Sequence, residues 1–169
     1  RGSGFFFFFS SKPEPLSAIK FFEEERISLG NAELDRILGG GLVEGSVILI
    51  GGEPGIGKST LSLQIPLHCP NLKTLYVSGE ESARQIKLRA QRLGGDDSNC
   101  LILSETLLEN ILNQAKETDP QLIIIDSIQT VYSQILESSP GSVTQVRECA
   151  AMLMKYAKET NTPTILIGH

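Results

Sequence analysis

The stretch Gly51-Gly52-Glu53-Pro54-Gly55-Ile56-Gly57-Lys58-Ser59-Thr60 constrains this chain more than any other. It fits the spacing G-x-x-x-x-G-K-[ST], opened by Gly52 and closed by Gly57, Lys58 and Ser59. Glycine carries no Cβ, so the backbone there can take unusual φ/ψ values and lie against an anion. Successive N–H groups then converge on one concavity suited to phosphate oxygens. Lys58 supplies a point charge for the outer phosphates, and the Ser59 hydroxyl can ligate Mg2+. The nucleotide-binding set read from the loop is Gly52, Glu53, Pro54, Gly55, Ile56, Gly57, Lys58, Ser59 and Thr60.

Such a loop works only between a strand and a helix. Ser46-Val47-Ile48-Leu49-Ile50 is a short apolar run bounded by glycines and reads as a buried strand. From Ser59 to Leu67 the chain carries Leu61, Leu63 and Ile65 with no breaker before Pro66, and reads as a helix. Its positive dipole end would face the phosphates. A glycine-rich turn that binds nothing is the bland alternative; the required order of strand, loop, lysine, hydroxyl and helix stands against it.

Upstream, Leu16 to Ile27 reads as strand or loop, and Asn31 as the cap of a short helix over Ala32 to Leu38 that Gly39-Gly40-Gly41 stops. Downstream, strands and helices alternate. Strands are expected at Thr74 to Val77, Leu101 to Leu103, Gln121 to Asp126 and Pro163 to Ile167. Helices are expected from a Ser82 cap through Leu93, over Thr106 to Lys116 and over Val143 to Thr160. Uniformly apolar strands alternating with helices predict an α/β fold, a mostly parallel sheet with helices on both faces. Ligands of such sheets sit beyond the carboxyl ends of the strands.

Asp126 ends the apolar run Leu122 to Ile125, where a carboxylate can hold Mg2+ together with Ser59. An ordinary turn residue is its alternative. Glu80 and Glu81 follow the strand Thr74 to Val77, where a carboxylate can activate water or favour the start of a helix. His169 follows the last strand.

A length of 169 residues suits one domain with a substantial core. The net charge of −5 does not advertise nucleic-acid binding, which leaves only a local basic patch such as Arg84, Lys87, Arg89 and Arg92. Cys69, Cys100 and Cys149 make no metal-binding spacing and read as incidental thiols. Residues 1–12, with Phe5 to Phe9 behind Arg1-Gly2-Ser3-Gly4, read as a tag or disordered leader, and 13–169 as a single core domain. No apolar run approaches the roughly 18 residues of a membrane span, so no membrane partner and a cytoplasmic location are expected.

The segments Leu29-Gly30, Glu33 to Leu42 and Gly45-Ser46-Val47 resemble the segment that leads into the core of RecA-like ATPases. Gly51 to Ser62, Tyr76-Val77-Ser78-Gly79-Glu80-Glu81-Ser82, Ile123-Ile124-Ile125-Asp126-Ser127-Ile128-Gln129-Thr130 and Arg147-Glu148 are similar to the bacterial DNA-repair branch of that family. The likeness covers about residues 16–169 and implies a RecA-like P-loop NTPase, with ATP and Mg2+ as cofactors. It further implies an ATP hydrolase of the DNA-dependent, helicase type that moves on single-stranded DNA and processes branched recombination intermediates. The partners implied are that DNA, the RecA recombinase and further copies in a hexamer. By the same resemblance Glu80 is the catalytic base beside Lys58, and His169 falls at the γ-phosphate sensor. The branch's four-cysteine zinc finger is absent, and its Lys-Asn-Arg-Phe-Gly motif and Lon-protease-like domain are not within these residues, so the chain reads as a C-terminally truncated core. A KaiC-like regulatory ATPase not acting on DNA is the competing expectation, since the leading segment is common to both.

Overall fold

The computed structural model describes residues 12–19, 26–28, 32–51 and 58–169. The expected leader falls almost wholly outside this set, as do Asn31 and 20–25. A 3-10 turn at Leu16–Ala18 comes first. Two short strands, β1 (Arg26–Ile27) and β2 (Leu42–Val43), pair antiparallel around helix α1 (Ala32–Ile37). Gly41 sits at φ 119°, and a Cβ there would lie 2.6 Å from the Ile27 carbonyl, so the pairing needs glycine.

The main sheet contains β3 (Val47–Ile50), β4 (Thr74–Ser78), β5 (Cys100–Ser104), β6 (Leu122–Asp126) and β7 (Thr164–Ile167). All four pairings are parallel and the spatial order is β3-β7-β6-β4-β5. Helices α2 (Lys58–His68), α3 (Ala83–Leu93), α4 (Leu108–Thr118) and α5 (Val143–Thr160) supply the crossovers. One core cluster joins Leu63, Ile65 and Leu67 of α2 and Ile86 of α3 to Tyr76, Ile124 and Ile165 of the sheet. A second joins Ile111 of α4 and Cys149 and Leu153 of α5 to Leu75, Val77, Ile123 and Ile125. Alternate strand residues therefore feed opposite faces, as the pleat requires, and both faces are covered.

Three elements depart from expectation. β3 was expected to be buried, but Leu49 is 67% exposed, because among the described residues β3 has a partner on one side only. Helix α2 extends one residue beyond each end of the expected Ser59 to Leu67 and holds Pro66 within it. A proline cannot donate to the carbonyl four residues back, but Pro66 lies in the last turn and its ring is buried, so the loss is one bond near an end. Helix α4 starts at Leu108, not Thr106. The Thr106 carbonyl instead accepts from the Tyr132 N–H at 2.9 Å, and Leu107 forms a parallel bridge with Tyr132.

Candidate functional site

The register sets one row across the sheet: Ile50, Ile167, Asp126, Ser78 and Ser104. The residues that follow each strand therefore emerge on a single edge. Gly51 leaves β3 there, Gly168 and His169 leave β7, Ser127 leaves β6, and Gly79, Glu80 and Glu81 leave β4. With strands about 4.8 Å apart, Asp126 stands two strands from the loop and Glu80 three.

The loop residues Gly52, Glu53, Pro54, Gly55, Ile56 and Gly57 lie outside the described residues. On either side the required context is present: β3 leads in, and Lys58, Ser59 and Thr60 form the first turn of α2. Asp126 is 8% exposed, with its Oδ2 accepting from the Tyr76 hydroxyl at 3.3 Å and its Oδ1 3.5 Å from His169 Nε2. Tyr76 is fully buried, and its hydroxyl lies 3.5 Å from Ser62 Oγ on α2. Burial pushes the Tyr76 phenol well above its ordinary value, so it stays a donor.

The two glutamates part company. Glu81 Oε1 is 3.0 Å from Arg89 Nη2, and the Glu81 N–H donates to Ser78 Oγ at 3.0 Å. Glu80 is exposed at the edge and makes no side-chain bond to a described residue. Its neighbour Ser82 caps α3, accepting from the Gln85 N–H, while Gln85 Oε1 accepts from the Ser82 N–H. This capping box satisfies two end groups of the helix without either glutamate.

The motifs after β4 and β6 interlock. The Gly79 N–H donates to the Asp126 carbonyl at 2.9 Å, and a Cβ on Gly79 would fall 1.9 Å from Thr130 Oγ1. Only glycine lets the 3-10 turn Ile128–Thr130 lie this close. The preceding Asp126–Ser127 peptide is cis. On the other side, Gln129 brackets His169: its Nε2 donates to the His169 carbonyl at 3.4 Å and its Oε1 accepts from the His169 N–H at 3.3 Å. The turn after Asp126 thus touches the exits of both β4 and β7. Sequence reasoning gave Tyr76, Ser62, Gln129 and Thr130 no individual role at the site, and read Arg89 only as part of a basic patch. The available signals were a tyrosine inside an apolar strand and the fixed wording of both motifs.

Of the basic patch on α3, Arg89 turns inward to Glu81 and Lys87 pairs with Asp97. Arg84 and Arg92 are left exposed. Among the described residues no group of three or more His, Cys, Asp or Glu side chains forms a metal cage. The carboxylate of Asp126 is the kind of oxygen donor that Mg2+ takes, one or two from protein with the rest of its shell from phosphate and water. The three thiols are free, and burial pushes each up to about 11. Among the described residues no helix is long and apolar enough to cross a membrane.

A parallel sheet with helices on both faces, and a strand-to-helix exit carrying the glycine-rich stretch, define an α/β P-loop nucleotide-binding domain of the RecA-like kind. The chain belongs to the AAA domain family, which matches residues 12–169. It is similar to proteins named DNA repair protein RadA. Identity is 50% over 160 residues to that of Bacillus subtilis, covering 94% of this chain and 35% of the relative. It is 51% over 160 residues to that of Salmonella typhimurium, covering 94% and 35%. It is 53% over 147 residues to that of Aquifex aeolicus, covering 86% and 33%. The chain thus spans about a third of the length of the curated relatives it matches.

Proposed function

We propose that this domain hydrolyses ATP with Mg2+ in a DNA-repair protein, and that hydrolysis drives movement on single-stranded DNA and processing of branched recombination intermediates. The observation that carries the reading is the shared edge: Asp126 ends β6 in the register row, and the loop exit, Glu80 and His169 follow strand ends on the same side. In this reading Gly52 to Thr60 wrap the phosphates and Lys58 neutralises them. Ser59 and Asp126 hold Mg2+, which would offset charge on the phosphate oxygens. Glu80 accepts the proton of the attacking water, a task that suits a carboxylate not committed to an ion pair. His169, held at its backbone by Gln129, stands where the terminal phosphate would be sensed.

The DNA assignment rests on the name shared by the relatives. RecA as partner, a hexameric assembly of the whole protein and a cytoplasmic setting rest on the motif resemblance. The test is ATP hydrolysis by the full-length parent with and without single-stranded DNA, beside Lys58→Ala. Stimulation by DNA that vanishes in Lys58→Ala is the expected result. Lys58-dependent hydrolysis indifferent to DNA would retain the ATPase and replace the DNA motor with a KaiC-like regulator.

A further inference from the structure

Tyr76 of β4 points into the core formed with α2 and α3. It is fully buried among Leu63, Ile65, Ile86 and Ile124. Phenylalanine would fill that space as well, and a hydroxyl there costs free energy unless it is bonded. Its two partners are informative. One is Ser62, itself fully buried and one turn along α2 from Ser59. The other is Oδ2 of Asp126. With the phenol donating to the carboxylate, Ser62 Oγ is left to donate to the phenol. A continuous chain, Ser62 to Tyr76 to Asp126, then runs from the phosphate-loop helix to the end of β6. A carboxylate turns easily about its last torsion. Here one oxygen is held by Tyr76 while the other stands near His169.

We propose that Tyr76 is a positioning residue for the cation site: its hydroxyl, set between Ser62 and Asp126, fixes the carboxylate's orientation and its separation from α2. This rests on the reading of Asp126 as a Mg2+ carboxylate. Supporting groups of this kind typically change metal affinity by about 10- to 100-fold when removed. On this proposal the loss falls on the cation and not on nucleotide bound without it.

The test uses the full-length parent with Tyr76→Phe, Ser62→Ala and Asp126→Asn. Mn2+ binding in the presence of ADP is followed by loss of the free-ion paramagnetic resonance signal. Binding of a fluorescent ADP analogue is measured separately in chelator. Tyr76→Phe should leave chelator-stage nucleotide affinity unchanged and weaken Mn2+ binding about 10-fold. Ser62→Ala should give a smaller loss, and Asp126→Asn the largest. Normal Mn2+ affinity in Tyr76→Phe beside a loss in Asp126→Asn overturns the positioning role and leaves the Asp126 reading standing. Normal Mn2+ affinity in Asp126→Asn removes that reading and the proposal with it. A Tyr76→Phe protein that loses both affinities equally, with a lowered melting point, makes Tyr76 a packing residue and overturns the proposal.

Discussion

On the face covered by α2 and α3, the sheet's apolar residues share the core with Tyr76 and Ser62, and Arg89 turns in beside them toward Glu81. On the face covered by α4 and α5, the strands contribute aliphatic residues apart from Thr164, and a separate buried polar group joins the 131–142 loop to α5. There Gln145, 1% exposed, accepts from the Ser133 N–H and donates to the Ser133 and Ser138 carbonyls. Glu109 of α4 accepts from the Ser133 hydroxyl at 2.6 Å and from the Gln134 N–H at 3.1 Å. Both faces bury polar side chains, but one set converges on Asp126 and the other secures a connection. Burial of a polar group is therefore no mark of function until its partner is known.

Three variants break or sharpen that contrast. Glu80→Gln should lower hydrolysis by about 10²- to 10⁴-fold with nucleotide binding retained. Glu81→Gln should cost under about 1 kcal/mol of stability, the scale of a partly exposed ion pair, with hydrolysis near the parent's. Steady-state rates decide between them, and the reverse pattern moves the base to Glu81. On the opposite face, Gln145→Ala leaves buried backbone groups of Ser133 and Ser138 without their partner. A loss of about 2–3 kcal/mol in denaturant unfolding is expected, with Mn2+ affinity of the folded protein unchanged. A weakened Mn2+ affinity would show the two faces to be coupled.

The smallest effect concerns Glu105, which lies past the end of β5. Its carboxyl is held below the usual range by the Leu107 N–H, then by Asn110, with a further bond from the Thr106 N–H. A folded value below the unfolded one stabilises the protein above the unfolded pKa, about 4.3. That contribution is lost as pH falls through the folded value. Glu105→Gln should therefore melt below the parent near neutrality, and the gap should close on acidification. A gap of constant size across that range would remove the carboxylate from the account of how α4 begins.

Much of the scaffold was legible because its signals are local. The Ser82 cap and Gly94 delimit α3 at Ala83–Leu93, and α5 spans Val143–Thr160 as its periodicity indicates. The run Leu-Ile-Ile-Ile-Asp reads as a strand buried on both faces and is one. The same reasoning placed Asp126 and the Glu80-Glu81 pair after strands, and their arrival on one edge follows from parallel pairing. It did not separate the two glutamates by environment, because the difference is Arg89, on the next helix. Nor did it foresee the exposure of Leu49, which depends on β3 lying at one side of the order β3-β7-β6-β4-β5.

Caps, glycines and apolar periods act over a few residues, so the chain alone determined where its strands and helices fall and that they alternate. The Tyr76–Asp126 bond joins residues 50 apart, and the Gln129–His169 bonds join residues 40 apart. The close approach of Thr130 to Gly79 likewise spans two strands. Only the tertiary structure decided these, because the crossovers set which strand exits become neighbours and packing sets which side chains meet there.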